Sequence, residues 1–272
     1  MDDIHPSAII AKSAELGPGI KVGPGAIIED EAVIGDGTEI GPHSFIGRAC
    51  RIGRANRIGL SVQIGGDPQI LGWEPVDSGV IIGDHNTIRE FVTIHRAEKA
   101  GRATRIGNHC FLMATAHVAH DCVVGDSVVI CNGALLAGHV EVGDHAFISG
   151  NCPIHQFVRI GRRAMIRGLT AVGKDVVPFT LIDQTNTVRG LNNVGIRRAG
   201  LSAAVRRDLK EAYQQLFRSP RPLSESVELL SALPLCDEVR EMLVFIRESK
   251  RGICMAYSTA SRGSGGDPEP SE

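Results

Sequence analysis

The stretch VAHDCVVGDSVVICNGALLAGHVEVGDHAFISGNCPIHQFVRIGRRAMI, residues 118–166, carries a branched aliphatic residue at every sixth position, from Val118 to Ile166. The same frame extends in both directions. From position 4 to position 172, 28 of the 29 periodic positions are Ile, Leu or Val, and only Ala100 departs. Because the whole hydrophobic class makes up 43% of the chain, composition alone cannot produce this series.

A period of six fits neither an amphipathic helix nor the alternation of a single strand. It fits a triangular coil in which each hexapeptide forms one side and three hexapeptides close a coil of about 18 residues. The branched residue then points inward, and a small residue four positions later, such as Ala116 or Ala146, fills the corner. Glycine follows the branched residue at fourteen places and is expected to relieve the turn. The predicted fold is mainly β, a left-handed parallel β-helix over residues 1–185 with coils about 4.8 Å apart.

Two stretches keep the phase but lose the rest of the pattern. Asp67–Gly79 is rich in Pro and Gly, and Ala97–Ala103 is charged. Both are predicted to be loops extruded from the prism. Extruded loops on a rigid scaffold are where binding groups usually lie.

The repeat stops after Pro178, and residues 186–256 are predicted to form a connector and a small helical C-terminal domain. Ser202 is a candidate N-cap for a first helix, which Pro220 and Pro222 would end. The apolar face of that helix is formed by Val205, Leu209, Tyr213, Leu216 and Phe217, and two further helices are expected over Leu223–Leu233 and Val239–Ile246. Residues 257–272 are predicted to be a disordered tail.

Composition limits the function classes. A formal charge of −2 gives no electrostatic case for nucleic acid as the main partner. The apolar runs are too short to span a membrane. The acidic N-terminus lacks the features of a signal peptide. Seven cysteines without CxxC spacing favour reduced thiols and a cytoplasmic location.

Four histidines, His117, His120, His139 and His155, gather in one part of the chain. Counting in coils of 18 stacks His120, Gly138 and Gln156 on one side of the prism, and Asp121 stacks with His139. A solvated surface explains a lone histidine, but it does not explain a polar column on three successive coils. The column therefore predicts a site spanning about 10 Å.

Two chemistries compete for this column. A zinc lyase of the carbonic anhydrase type would use three imidazoles, but its His-x4-His pair is absent here. Acyl transfer needs a histidine base, an orienting group and a backbone N–H facing the oxyanion. His120 could be the base, Asp121 or His139 the orienting group, and Gly138 the oxyanion donor. No metal and no cofactor is predicted, and transfer without an acyl-enzyme is favoured.

With these features the chain resembles the acyl-carrier-protein-dependent UDP-N-acetylglucosamine O-acyltransferases, the first enzymes of lipid A synthesis. The resemblance covers roughly residues 4 to 253. Its most specific segments are Ile88–Glu90, Thr93–Arg96, Ala116–Cys122, Leu136–Val140, His155–Phe157, and Asn192 with Gly195–Arg198. A related N-acyltransferase is a poorer match, because that enzyme usually has Asn where this chain has Asp121 and carries an extra N-terminal domain.

The resemblance implies a homotrimer with sites between prisms, a 3-hydroxyacyl group donated by acyl carrier protein, and UDP-N-acetylglucosamine as acceptor. It implies that His120 is the general base, that Asp121 supports it, and that the Gly138 N–H stabilises the oxyanion. The implied substrate-binding residues are Gln69, His117, His139, His155, Gln156, Asn192 and Arg198. Gly168 matches the position that sets acyl length, and a glycine there implies a longer chain, although Arg167 could close the groove.

The chain also departs from the family pattern. Ile70 and Gly72 replace an Asp and a Lys that contact the sugar in relatives, and Val194 and Ala199 replace a Glu and an Arg. These changes leave open a different amino sugar, or a paralogue that binds without turnover. An acidic carrier protein needs a basic surface. The predicted docking residues are Arg162, Arg163, Arg167, Arg206, Arg207 and Lys210.

Overall fold

The six-residue period builds a triangular prism in the computed structural model, which describes residues 3–256. Each hexapeptide contributes one short strand to one of three sheets, and strands of successive coils pair in parallel. For example, Val118 pairs with Leu136, and Leu136 pairs with Ile154, so each partner lies three hexapeptides further along the chain. The left-handed parallel β-helix predicted from the repeat is confirmed.

Within the described residues the strands are β1 (Asp3–Ile4), β2 (Ile9–Ile10), β3 (Glu15–Leu16), β4 (Lys21–Val22), β5 (Ile27–Ile28), β6 (Val33–Ile34), β7 (Glu39–Ile40), β8 (Phe45–Ile46), β9 (Arg51–Ile52), β10 (Arg57–Ile58), β11 (Gln63–Gly66), β12 (Gly79–Ile82), β13 (Thr87–Ile88), β14 (Thr93–His95), β15 (Ala103–Ile106), β16 (Phe111–Leu112), β17 (His117–Val118), β18 (Val123–Val124), β19 (Val129–Ile130), β20 (Leu135–Leu136), β21 (Glu141–Val142), β22 (Phe147–Ile148), β23 (Pro153–Ile154), β24 (Arg159–Ile160), β25 (Met165–Ile166), β26 (Thr180–Ile182) and β27 (Val188–Leu191).

Sheet A runs β1-β4-β7-β10-β13-β16-β19-β22-β25-β26-β27, with β27 antiparallel to β26 at the end of the prism. Sheet B runs β2-β5-β8-β11-β14-β17-β20-β23, and sheet C runs β3-β6-β9-β12-β15-β18-β21-β24. The chain passes from sheet A to B to C in each coil. We call the edges between them the AB, BC and CA corners.

The periodic residues form the core. Ile64, Ile94, Leu136 and Ile148 are fully buried, as are small corner residues such as Ala116. Burying each large aliphatic side chain contributes about 1.5–3 kcal/mol. Cysteines occupy the same small-residue position at Cys50, Cys110, Cys122 and Cys152, where they are free and buried. Burial raises the pKa of Cys50 and of Cys122 to about 12, so these thiols are unreactive packing residues.

The predicted role of glycine is wrong in detail. The left-handed backbone conformation falls three positions after the inward residue, often on a side-chain-bearing residue such as Asp121 (φ 58°) or His139 (φ 60°). The glycine directly after the inward residue instead permits close stacking. A Cβ on Gly35 would lie 2.7 Å from the carbonyl carbon of Gly53 in the next coil.

Both predicted loops leave the prism at the BC corner. The first lies between β11 and β12, and the second lies between β14 and β15. They lengthen the coil by whole hexapeptides. Ile64 pairs with Ile94 across five hexapeptides instead of three, and Ile94 pairs with Val118 across four. The hexapeptide phase therefore survives both insertions.

The C-terminal region contains α1 (Asn193–Arg198), α2 (Ala203–Phe217), α3 (Leu223–Ser231) and α4 (Asp237–Glu248). The predicted N-cap is confirmed, because Ser202 Oγ accepts the Val205 N–H at 3.3 Å. The connector is not irregular, since it holds β27 and the start of α1. After α4 the chain returns to the prism and Ile253 bridges to Asp175.

No helix between residues 3 and 256 is long and apolar enough to cross a bilayer. The tail predicted to be disordered, residues 257–272, lies outside the described residues.

Candidate active site

The predicted polar column exists at the BC corner. The His139 N–H donates to the His120 carbonyl at 3.1 Å, and the Phe157 N–H donates to the Gly138 carbonyl at 3.1 Å. These bonds stack three successive coils, as the count in coils required. The two loops leave the same corner one coil or more earlier. Gln69, exposed in the first loop, therefore belongs to the same side of the prism as His120.

His120 and Asp121 form a close pair at this corner. His120 Nδ1 lies 2.9 Å from Asp121 Oδ2, and their side chains are 14% and 6% exposed. The Asp121 backbone is fixed as well, because its N–H donates to Thr104 Oγ1 at 2.8 Å. With a proton on Nδ1 facing the carboxylate, Nε2 carries the lone pair. This is the tautomer that a general base requires.

Gly138 lies against the free face of that imidazole. A Cβ built on Gly138 would lie 2.5 Å from His120 Nε2, so only glycine fits there without displacing the ring. The Gly138 N–H has no acceptor among residues 3–256. A backbone donor without a partner beside a basic nitrogen is the arrangement that an oxyanion needs.

His139 extends the site on the next coil. Its ring meets the His120 ring edge-on at 5.1 Å between centroids and stacks on Phe157 at 4.6 Å. Beside these rings is a cavity of about 1010 Å³, whose basic lining residues include Arg159, Arg247, Lys250 and Arg251. Three carboxylates, Glu141, Asp175 and Glu248, line the cavity as well, and Glu141 and Glu248 pair with Arg159. Among the described residues, Lys250 and Arg251 are the lining cations without a carboxylate partner, so these two can meet an anionic ligand there.

His117 lies on the outer face of sheet B, next to the column. Thr93 Oγ1 is 2.8 Å from its Nδ1, and His95 packs edge-on at 4.9 Å between ring centroids. Burial, with a smaller contribution from the neighbouring His95, lowers the pKa of His117 to about 4. Burial also lowers the pKa of His95. Both imidazoles are therefore neutral at neutral pH and can act as hydrogen-bonding groups.

Three residues in this site escaped the sequence reasoning: His95, Glu98 and Phe157. A count of 18 residues back from His120 reaches Arg102, in the second loop. Because that loop lengthens the coil to four hexapeptides, the residue that stacks below His120 is Arg96, which is next to His95. Phe157 follows the column at the same corner, and its place in the stack with Asp121 and His139 was the signal that could have found it.

The other predicted substrate residues are divided between this corner and the other two. His155 is exposed at the BC corner, with Nδ1 3.1 Å from Arg251, and Gln156 is exposed beside it. Gly168 lies at the AB corner, where a Cβ would meet the Gly150 carbonyl at an ordinary 3.5 Å, so space is open there. Arg167, also at the AB corner, is exposed and pairs with Asp183 at 2.8 Å.

Asn192 is buried at the CA corner side of the prism. Its Oδ1 accepts the Gly195 N–H at 3.0 Å and caps α1, and its Nδ2 donates to the Arg163 carbonyl of the prism at 2.9 Å, so both ends of the amide are already hydrogen-bonded. Arg198, in the last turn of α1, is exposed. Substrate contact by these two residues stays a prediction.

The six predicted docking cations do not form one patch. At the CA corner Arg162 is bound to Glu241 of α4 by hydrogen bonds of 2.6 and 2.9 Å and covers the Phe179 ring, while Arg163 is half-buried. Arg206, Arg207 and Lys210 are exposed on α2. Arg206 and Lys210 line a separate cavity of about 680 Å³ together with three arginines that sequence reasoning missed: Arg189, Arg197 and Arg218.

The column also contains a set of groups that could bind a metal. One ligand atom each from Glu98, His120, Asp121 and His139 lies within 4.8 Å of the others. However, Asp121 Oδ2 already accepts hydrogen bonds from His120 and from the Glu98 backbone N–H at 2.9 Å. Hydrogen bonding therefore accounts for the close approach of His120 and Asp121 without a cation, whereas the Glu98 carboxylate lies 3.8 Å from His139 Nε2.

The class of protein follows from the fold, the site and two family matches. Residues 103–138 match the bacterial transferase hexapeptide repeats, and the prism with its histidine column defines a hexapeptide-repeat transferase. Residues 175–254 match the second domain of UDP N-acetylglucosamine O-acyltransferase. This second match covers the C-terminal helices described above.

Relatives make the family specific. An acyl-(acyl-carrier-protein)–UDP-N-acetylglucosamine O-acyltransferase from Campylobacter concisus is 43% identical over 150 residues, which is 55% of this chain and 57% of that protein. The aligned segment thus spans little more than half of such curated relatives. Solved structures match over most of the chain. The UDP-N-acetylglucosamine acyltransferase from Campylobacter jejuni has a TM-score of 0.89 and 38% identity, covering 94% of this chain and 100% of its own.

The acyltransferase from Francisella novicida gives a TM-score of 0.89 and 34% identity, with 95% of each chain covered. The chain belongs to the UDP-N-acetylglucosamine O-acyltransferase family.

Proposed function

We propose that this protein transfers a 3-hydroxyacyl group from acyl carrier protein to the 3-hydroxyl of UDP-N-acetylglucosamine, the first step of lipid A synthesis. The observation that carries the proposal is the His120 imidazole, which Asp121 holds through Nδ1 and whose Nε2 lies against Gly138, a residue whose N–H has no acceptor among residues 3–256. Family membership supplies the substrate classes.

The reaction follows from this geometry. His120 Nε2 takes the proton from the sugar hydroxyl, whose oxygen attacks the thioester carbon. The Gly138 N–H donates to the developing oxyanion. When the carbon–sulfur bond breaks, the carrier's thiolate leaves and takes the proton back from His120. Asp121 stabilises the imidazolium between the two transfers without itself becoming protonated.

The acceptor is proposed to occupy the BC corner, with Gln69, His117, His139, His155 and Gln156 around it. The cavity beside His139 is proposed to hold its diphosphate, since Lys250 and Arg251 offer charge-assisted hydrogen bonds there. Ile70 and Gly72 in the first loop offer no polar side chain to the sugar, so the assay should include other amino sugars as acceptors. The open space at Gly168 supports a longer acyl chain.

A homotrimer is proposed because one prism does not bring the site together. His120 lies at the BC corner, Gly168 at the AB corner and Asn192 beside the CA corner. Corners are separated by a hexapeptide side of at most about 20 Å. Packing prisms side by side would bring different corners together in one cleft. The outer face of sheet A supports such packing, because successive coils present an apolar stripe there: Phe111, Val129, Phe147 and Met165.

Carrier docking is proposed at the α2 cavity rather than at the CA corner. Among residues 3–256 its lining includes no carboxylate and five cations: Arg189, Arg197, Arg206, Lys210 and Arg218. An acidic partner would be steered to such a surface. Arg207 lies beside it on α2, whereas Arg162 and Arg167 are already paired with carboxylates. The proposed location is the cytoplasm, where the seven free cysteines stay reduced.

The test incubates purified protein with UDP-N-acetylglucosamine and 3-hydroxyacyl carrier proteins of several lengths, and detects product by mass spectrometry. His120→Ala should retain its oligomeric state and lose about 10²–10⁴-fold in rate. His109→Ala, an exposed histidine at the CA corner, is the matched control and should be unaffected. No product from wild type would favour a binding paralogue. Stoichiometric zinc in active protein would instead favour the zinc lyase.

A further inference from the structure

Glu98, in the second loop, contacts the candidate active site through two groups and the first loop through a third. Its backbone N–H donates to Asp121 Oδ2 at 2.9 Å. Its carboxylate Oε1 lies 3.8 Å from His139 Nε2. Its carbonyl accepts the Trp73 Nε1–H of the first loop at 2.9 Å. Glu98 therefore links both loops to the base.

We propose that Glu98, held in place by Trp73, is a positioning residue that fixes Asp121 and, through it, the general base His120. The proposal rests on the proposed acyl transfer. The backbone N–H of Glu98 holds the Asp121 carboxylate of the catalytic pair in place. The Glu98 carboxylate has a secondary role beside His139.

The Asp121 carboxylate is almost fully buried. Its side chain is 6% exposed, so water cannot replace a missing donor there. The same oxygen accepts from His120 Nδ1 and from the Glu98 N–H, and two donors on one oxygen stop the carboxylate from rotating about its Cβ–Cγ bond. Without the second donor the carboxylate is free to turn, and the Nδ1 contact that sets the tautomer is lost part of the time.

Trp73 holds Glu98 from the side of the first loop. Its indole N–H is the side-chain donor that fastens the first loop to the Glu98 carbonyl. The Glu98 peptide groups thus bond on one side to the catalytic carboxylate and on the other to the loop predicted to meet the sugar. Removing the indole donor should loosen Glu98 without touching His120 or Asp121 directly.

The central experiment compares Glu98→Ala with Glu98→Pro. Both lose the carboxylate, but only proline lacks the N–H that bonds to Asp121. We expect kcat of Glu98→Pro to fall about 10–100-fold below that of Glu98→Ala, as for a lost hydrogen bond to a charged group, with KM for both substrates unchanged. Equal kcat values for the two variants would overturn the proposal.

A double-mutant cycle separates positioning from folding. In an Asp121→Ala background, Glu98→Pro should cause no further loss, because its partner is already gone. An additive loss would mean that the variant acts through general structure, which overturns the proposal.

If Glu98→Pro does not fold, Trp73→Phe serves instead, since it keeps the ring and removes the donor. Its kcat should fall several-fold at constant KM, and Glu74→Ala, an exposed carboxylate beside it, should match wild type. A Trp73→Phe variant with wild-type kcat would overturn the proposal.

One further outcome is decisive. Zinc that copurifies with wild type at one per chain and is lost from Glu98→Ala would make Glu98 a metal ligand, and this too overturns the proposal. Failure of the inference is distinguishable from failure of the proposed function, because in the first case the wild type still forms acylated product and in the second it does not.

Discussion

Replacing Gly138 with alanine tests the geometry of the base directly. The new Cβ would lie 2.5 Å from His120 Nε2 and 2.6 Å from Cε1. Reaching 3.4 Å, the shortest ordinary contact, requires the imidazole to retreat by about 0.9 Å. A displacement of about 1 Å at a reacting group can reduce the rate about 100-fold, or about 2.7 kcal/mol in transition-state stabilisation. We therefore expect kcat of Gly138→Ala to fall about 100-fold.

The fold should tolerate this change. The φ of Gly138 is not in the left-handed region, so alanine brings no backbone strain. The Gly138 N–H is also retained, so the loss reports on the position of the base rather than on the oxyanion donor. Thermal unfolding should show a Tm within a few degrees of wild type, and steady-state assays should show the loss in kcat.

Gly173→Ala is the matched control for this substitution. A Cβ there meets its nearest atoms, in the Asn186 side chain, at 3.7 Å, and the backbone is again not left-handed. Its rate should equal wild type. A Gly138→Ala rate within threefold of wild type, with Tm unchanged, would refute the argument that the contact between Gly138 and His120 positions the base.

Two other predictions concern stability. Because the pKa of His117 is lowered to about 4 from 6.5, its neutral form stabilises the fold above pH 6.5, and this contribution is lost as the pH falls toward 4. Urea unfolding should thus show a shallower loss of stability between pH 6.5 and 4 for His117→Gln than for wild type, and parallel curves would contradict the assignment. Arg162→Gln breaks the ion pair with Glu241, worth about 1 kcal/mol, and should lower Tm by about 2–4 °C with the carrier-protein KM unchanged. Lys210→Glu should raise the carrier-protein KM and leave Tm unchanged. A raised carrier-protein KM in Arg162→Gln would instead indicate that the carrier docks at the CA corner.

The sequence predicts the prism well because its signal is local and repeated. Each hexapeptide places an Ile, Leu or Val inward independently of the others, so the single departure at Ala100 does not break the frame. Counting in coils of 18 residues also predicted the stack of His120, Gly138 and Gln156, because the strands beyond Val118 pair without an insertion. A different period, the helical spacing of the apolar residues after Ser202, predicted α2.

The remaining features depend on contacts that no period encodes. Glu98 and Trp73 lie in loops where the repeat is lost, and their bond joins two separate stretches of irregular chain. Glu241 meets Arg162 from a distant helix, so a cation that looked free for docking is paired in the structure. Asn192 seemed available for a phosphate because its capping role requires knowing where α1 begins and which carbonyl lies beneath it.

The spacing of the two loops has a consequence for how such proteins can change. Because the insertions amount to two hexapeptides and one, every strand after them meets the same neighbours as in an uninterrupted stack. The two inserted segments can therefore be replaced without changing the strand pairing. If relatives exchanged the segment between positions 67 and 79 for one longer or shorter by whole hexapeptides, the side chains near His120 would change. The strand pairing of the prism would stay the same. Substrate choice and fold stability can thus evolve separately in this architecture.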